Sequence, residues 1–325
     1  MKHKGLLKNV FGLAIIMVFS LFISSCGEDV KPVPTITVVI NSIDGFIVDI
    51  AAEAENATSW SWDYGDGNTS DTDGGHFYTY TERGDFTITC TVTGEGGSTT
   101  KTVDVHIATK EELLTGNTWV LSETGTNGLG FHITTDLVID IPTVDILETL
   151  NGLRDDATET YDFTNEVSDE YTFNADGSYS IDYVNDNVLT SWVYANVEGA
   201  NIVGTCSYVG IFVISSAALT NATWTLHENE DLTLNTVYDA SLSAIAGGVA
   251  ETVEFVGVDY LTFTNDGFLG VKDYTSTALI RSISKDELAV TVFFHGYYGY
   301  ADPDNKTLGL AEPSFLINLT FKPKA

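Results

Sequence analysis

The sequence predicts an all-β protein of about two domains, on three observations. Proline and methionine are scarce, at 6 and 2 residues, while tyrosine and phenylalanine number 15 and 17 and threonine and valine abound, a composition suited to strands. Short runs alternate apolar and polar residues between clusters of Gly, Asp and Asn, the pattern of half-buried strands joined by turns. A chain of 325 residues exceeds one typical domain. With 43% hydrophobic and 11% aromatic residues it is no disordered acidic tail.

Charge is distributed unevenly. The formal net charge is −32, from 14 Lys and Arg against 46 Asp and Glu. Residues 1–25 contain no acid and three lysines, Lys2, Lys4 and Lys8. The rest of the chain holds 11 basic against 46 acidic residues, a net −35. Such a body repels phosphate backbones, which argues against nucleic acid as a partner.

The first element is an address. Residues 1–9 are basic and residues 10–22 form an apolar run. That run is too short to span a bilayer as a stable helix but suits a secretory signal. It ends in Ile23-Ser24-Ser25-Cys26, which resembles a bacterial lipobox. The resemblance implies a signal peptide over residues 1–25, cleavage by signal peptidase II before Cys26, and diacylglycerol on the Cys26 thiol. The alternative is an ordinary signal peptide beside an incidental cysteine. Gly27-Glu28-Asp29 resembles the acidic export signal of Bacteroidetes lipoproteins, which implies the outer face of the outer membrane. Val30-Lys31-Pro32-Val33-Pro34 completes an extended tether over residues 26–34, because proline disfavours helix at and before itself. A single acyl chain anchors only marginally, and bacterial lipoproteins carry two or three on one cysteine. An acidic body gains nothing from anionic lipid, so the acyl group is expected to hold the protein to its membrane.

The second element, residues 35–108, reads as a small β-sandwich. It contains Trp60-Ser61-Trp62-Asp63-Tyr64-Gly65-Asp66-Gly67, then His76-Phe77-Tyr78-Thr79-Tyr80 and Gly84-Asp85-Phe86-Thr87-Ile88-Thr89. These resemble the W-D-F-G-D-G signature and the following H-x-Y…G-x-Y-x-V-x-L stretch of PKD domains, with Tyr64 in place of Phe. The family is Ig-like and serves as a spacer or interaction module, so the resemblance implies no chemistry. Asp66-Gly67 permits the positive φ of a tight turn, and the aromatic rings fill a small sandwich. Asp63, Asp66, Asp71 and Asp73 could form an oxygen-rich calcium site; the alternative is carboxylates capping turns. Cys90 falls on the buried face of an alternating strand, and Cys206 lies over a hundred residues away, so two buried single thiols are expected rather than a bridge.

The third element, residues 109–325, opens on a short helix in A-T-K-E-E-L-L-T and then resumes β character. Thr118-Trp119-Val120-Leu121 and Thr223-Trp224-Thr225-Leu226 both read T-W-x-L. Residues 172–177 and 262–267 both read T-F-x-x-D-G, each flanked by strand-like runs and therefore each expected as a hairpin, the second pairing residues 260–263 with 268–271. Residues 286–294 and 314–321 supply two closing strands. The cues carried by Leu114, Gly116, Trp119, Leu121, Phe173, Asp176, Gly177, Trp224, Leu226, Leu232, Leu234 and residues 283–288 resemble the lipocalin-like domains of Bacteroidetes lipoproteins. That resemblance implies a larger antiparallel β-barrel, with a sandwich of the carbohydrate-binding kind as the alternative. The apolar stretches 211–219 and 242–249 are too short for spanning helices and read as buried strands or small-residue loops.

No nucleophile elbow, H-E-x-x-H, Walker loop or C-x-x-C occurs, and the histidines are scattered, so no enzyme is expected. Among 46 carboxylates some pair always suits a glycosidase, so such pairs carry no information. Aromatics tell more, because sugars stack their apolar faces on exposed rings while carboxylates and amides bind their hydroxyls. The densest cluster is His295-Gly296-Tyr297-Tyr298-Gly299-Tyr300. Neighbouring Tyr297 and Tyr298 point to opposite sides of a strand, so one ring should leave the core. Trp192 and Tyr194, two apart, are expected on one strand face. These six residues form the expected ligand site, against the alternative of core packing. The segment 125–132 faintly resembles a Gly-rich stretch of some glycan-utilisation lipoproteins.

The combined expectation is a lipid-anchored, outward-facing outer-membrane protein. It would bind polysaccharide or oligosaccharide without catalysis for an uptake system built around an outer-membrane porin, with no cofactor beyond a possible calcium. The alternatives are an adhesion or structural protein that binds a protein partner and, third, a glycoside hydrolase.

Overall fold

The computed structural model describes residues 30–122, 124–130, 132–135, 141–145, 168–206, 211–238, 249–295 and 312–325. Cys26, Tyr297, Tyr298 and Tyr300 lie outside the described residues. The chain divides into two compact units, residues 1–107 and 108–325. Both are built almost entirely of antiparallel strands, as the composition predicts.

The first unit comprises β1 (Thr35–Asp44), β2 (Ile47–Glu55), β3 (Ser59–Asp63), β4 (Thr69–Ser70), β5 (His76–Thr79), β6 (Gly84–Gly94) and β7 (Gly97–Ile107). One sheet runs β1-β2-β5 and the other β4-β3-β6-β7. Their facing sides meet in a core of Val48, Ile50, Trp62, Tyr64, Tyr80, Ile88, Cys90 and Val92. The signature residues supply both its bulk and its polar anchors. Trp62 is fully buried, stacks between Trp60 and Tyr64, and donates its indole N–H to the Thr72 carbonyl at 2.8 Å. Tyr80 donates to the Tyr64 carbonyl at 2.9 Å. Gly65 has φ +79° and a side chain there would sit 2.8 Å from the Thr87 carbonyl oxygen, so the signature glycine is sterically required. Cys90 is a buried free thiol whose pKa burial pushes up to about 11.

The second unit opens with helix α1 (Lys110–Thr115). Thr109 and Glu112 close a capping box at its start, a feature that contributes about 1 kcal/mol to a short helix. Strands β8 (Thr118–Leu121), β9 (Thr124–Gly130), β10 (Ile141–Asp145), β11 (Glu170–Phe173), β12 (Tyr179–Asp182) and β13 (Asn187–Ser191) follow, then helix α2 (Trp192–Val197). The chain continues through β14 (Ile202–Cys206), β15 (Ile211–Ser215), β16 (Trp224–Tyr238), β17 (Val249–Phe263), β18 (Thr277–Ile283), β19 (Leu288–Phe294) and β20 (Phe315–Pro323).

The large sheet runs β12-β11-β8-β20-β19-β18-β17-β16, with β9 pairing β20 and β10. Among the described residues it does not close into a barrel. The end strands β12 and β16 are linked by one isolated bridge, Ser178 to Thr223, and by the backbone bonds Tyr179 N–H to Ala222 and Trp224 N–H to Gly177. A ladder is not formed because β12 is four residues long and the chain then departs into a second sheet, β13-β15-β14. That small sheet shares one apolar cluster with the large one, through Val188, Leu189, Ile211 and Val213 with Trp119, Tyr171, Phe173 and Phe321. The apolar stretch 211–214 is thus the buried central strand of a small sheet.

The two T-W-x-L repeats do equivalent work. Trp119 donates its indole N–H to the Leu114 carbonyl and Trp224 donates to that of Asn174, each at 3.0 Å, so both rings lie in the core. The first T-F-x-x-D-G segment is the turn of the β11–β12 hairpin, as expected. The second is not a hairpin of the expected kind: β17 pairs with β18, and residues 268–271 turn inward, burying Phe268, Leu269 and Val271. Among the described residues no helix is long and apolar enough to cross a membrane.

Candidate functional site

Of the expected ligand residues that the structure describes, Trp192, Tyr194 and His295, the last two converge on a segment that the sequence did not single out. Gly270 adopts φ +77° beneath the Leu319 side chain, where a Cβ would approach Leu319 to 2.3 Å. This bend turns the chain out of the core after Val271 and presents Lys272, Asp273 and Tyr274. The segment is pinned to β13, since the Lys272 N–H donates to the Leu189 carbonyl at 2.8 Å and the Thr190 hydroxyl to the Lys272 carbonyl at 2.7 Å.

Immediately after β13, the Ser191 side chain accepts from the Tyr194 N–H at 3.0 Å and starts helix α2. Trp192 and Tyr194 therefore do not share a strand face. On a helix of 3.6 residues per turn, positions two apart point to nearly opposite sides. Both rings are half-buried against the apolar cluster. Tyr194 meets Tyr274 with ring centroids 5.0 Å apart and planes tilted by 46°. The Lys272 ammonium lies 5.6 Å from the Tyr194 ring centroid and donates to the Ser216 hydroxyl at 3.3 Å. On the other flank, the Tyr274 hydroxyl donates to Glu198 Oε1 at 2.7 Å.

Asp273 anchors this ledge from below. Its fully buried side chain accepts from the Tyr274 N–H at 2.7 Å, from the His295 backbone N–H, and pairs with His295 Nδ1 at 3.1 Å. His295, only 2% exposed, sets its ring edge-on to Tyr274 at 5.6 Å. It supports the ledge and is not positioned to touch a ligand, a correction that follows from its burial over Asp273. Its Nε2 is buried with no hydrogen-bond partner among the described residues.

The electrostatics are those of a half-dry surface. Burial pushes the Tyr194 phenol up to about 12, with Asp266, Glu198 and Asp273 adding to the rise. Burial and the bond to Glu198 likewise raise Tyr274. Burial lowers the Lys272 pKa against the pull of Asp266 and Glu198. Both phenols are thus neutral donors at any ordinary pH.

The four aspartates of the first unit do not assemble. Asp63 Oδ1 accepts from the Gly65 N–H at 2.9 Å, and Asp66 accepts from the Asn68 N–H at 3.0 Å and the Tyr78 hydroxyl at 2.6 Å. Asp63 and Asp66 cap turns, and among the described residues no group of three or more His, Cys, Asp or Glu is placed to hold a metal ion. The expected calcium set of Asp63, Asp66, Asp71 and Asp73 is corrected accordingly. The Gly-rich segment that begins at residue 125 lies in strand β9 through Gly130.

Comparison with known proteins bears on the first unit. Residues 30–108 match the family model of the PKD domain, and a second all-β unit follows them in the chain. The chain is similar to the PKD1 domain of the Vibrio cholerae metalloprotease PrtV and to that of Vibrio anguillarum Epp. Each is 27% identical, with 24% of this chain and 99% of the other covered, at a TM-score of 0.21. A carbohydrate-binding module from the β-sandwich superfamily is 10% identical over 90% of this chain and 92% of its own, at a TM-score of 0.23, too low to carry an argument. No curated protein matches.

Proposed function

We propose that this protein is a non-catalytic, lipid-anchored surface protein of the outer membrane that binds polysaccharide for a glycan uptake system. Cys26 would carry the anchor, the PKD domain would act as spacer, and the second unit would hold the ligand. The observation that supports the reading is the ledge of Tyr194 and Tyr274. Two neutral phenol rings meet at 5.0 Å on a half-exposed surface, flanked by an ammonium at Lys272 and a carboxylate at Glu198. Rings of this kind stack on the C–H faces of sugars while the flanking charges bind hydroxyls.

Affinity-gel electrophoresis in a panel of plant, algal and bacterial polysaccharides tests it. At least one polysaccharide should retard the wild-type chain, and Tyr274→Ala and Tyr194→Ala should each weaken that retardation about tenfold or more. Retardation unchanged in both variants would remove the site, and release of reducing sugar by the purified chain would overturn the non-catalytic assignment.

A second reading has one observation of its own. Phe77, on the edge strand β5, is 71% exposed, and Ile47 lies diagonally across from it on the same outer face. An apolar patch beside an unpaired edge suits a protein partner, as an adhesion protein would need. Loss of surface attachment to protein in Phe77→Ser, with polysaccharide binding absent, would favour it.

A further inference from the structure

Lys272 is out of keeping with the other half-buried lysine among the described residues of its unit. Lys110 carries two carboxylates, Glu228 at 2.9 Å and Asp259 at 2.8 Å. Among the described residues Lys272 forms no ion pair; its ammonium has the Ser216 hydroxyl at 3.3 Å and the face of Tyr194 at 5.6 Å. In a chain with 46 acidic residues against 14 basic ones, this half-buried ammonium feels the charge of Asp266 and Glu198 but, among the described residues, pairs with neither. Glu198, which could have approached it, is held by the Tyr274 hydroxyl at 2.7 Å. A partly desolvated cation gains most from an anion supplied from outside, because the interaction strengthens as water is excluded.

We propose that Lys272 reads an anionic substituent on the glycan, so the ledge takes an acidic sugar bearing a carboxylate or a sulfate. This rests on the reading of the Tyr194–Tyr274 ledge as a glycan site. The sugar ring stacks on the phenols, its anionic group meets the Lys272 ammonium and the Ser216 hydroxyl, and Glu198 accepts from a ring hydroxyl on the far side. The surrounding acidic surface repels a polyanion at long range. Selectivity therefore comes from this one short contact, and long-range repulsion is screened within about 8 Å at physiological salt.

The test is titration calorimetry of the chain from Gly27 onward with two matched pairs: oligogalacturonide against its methyl ester, and sulfated against desulfated galactan oligosaccharide. One charged member should bind about tenfold or more tightly than its uncharged partner. Which pair shows the difference distinguishes carboxylate from sulfate. Lys272→Gln should erase the preference and Lys272→Arg should retain it. Retention of the preference in Lys272→Arg, together with an unchanged far-ultraviolet dichroism spectrum in Lys272→Gln, guards against a folding defect. Equal binding of charged and uncharged members overturns the assignment. If that binding is also lost in Tyr274→Ala, the ledge itself stands. No binding of any charged or neutral glycan overturns both.

Discussion

Removing the Asp273 carboxylate should both destabilise the second unit and disorder the ledge. The side chain is fully buried and satisfies three donors: the N–H of Tyr274, the N–H of His295 and Nδ1 of His295. A hydrogen bond to a charged group contributes about 1.5–3 kcal/mol, and a buried donor left without a partner costs about 1–3 kcal/mol. These do not add, since all three end on one carboxylate. Leaving these buried donors without their acceptor is expected to cost about 2–4 kcal/mol in Asp273→Ala. Asp273→Asn keeps one acceptor oxygen and turns an amide toward donors, so about 1.5–3 kcal/mol is expected. Against a domain stability of about 5–15 kcal/mol, both variants should still fold. Urea unfolding of the chain from Gly27 onward, followed by tryptophan fluorescence, should show lower midpoints with an unchanged denaturant slope. Hydrogen exchange should rise in β18, β19 and residues 272–276 and stay constant in the first unit. An Asp273→Ala cost under about 1 kcal/mol would refute the claim that this carboxylate latches the ledge.

Much of the first unit was legible because its signature residues act locally. Trp62, Gly65 and Tyr80 each make contacts fixed by the strands that carry them, so motif and fold coincide. The second unit was legible in kind but not in connection. Both T-W-x-L tryptophans are core residues, yet the two segments of T-F-x-x-D-G pattern ended in different structures. Gly267 is followed by apolar residues that go into the core, and the pairing strand begins only at Thr277. Reading residues 268–271 as a strand hid the Lys272-Asp273-Tyr274 segment behind it. A charged pair beside a tyrosine after Gly270 was the available signal. Trp192 and Tyr194 misled because Ser191, an N-cap residue, follows a β-rich run with no break in apolar character. The expected Tyr297–Tyr300 cluster lies outside the described residues, and only its first member, His295, could be placed.

Three further outcomes are expected. Trp62→Phe keeps a ring but removes the indole's bond to the Thr72 carbonyl and part of a fully buried side chain, and should cost the first unit about 1–3 kcal/mol, seen as faster hydrogen exchange in β3 and β6; unchanged exchange would contradict the anchoring role of the indole. Tyr78 and Tyr194 both have phenols raised to about 12, chiefly by burial and, for Tyr78, by its bond to Asp66. The unfolded phenols ionise from the ordinary value of 10.0. Their contribution to stability is therefore full below about pH 10 and lost as pH rises toward about 12, and a denaturation midpoint flat across that window would count against their burial. Cys26→Ala should abolish metabolic palmitate labelling of the full chain, and labelling that persists would refute the anchor.

The ledge is tested most directly by hydrogen-exchange mass spectrometry of the chain, with and without a retarding polysaccharide. Binding on Tyr194 and Tyr274 predicts slowed exchange confined to residues 191–198 and 272–276, with no change in the first unit. Protection that falls in the β1-β2-β5 sheet around Phe77, or nowhere in the second unit, would contradict it.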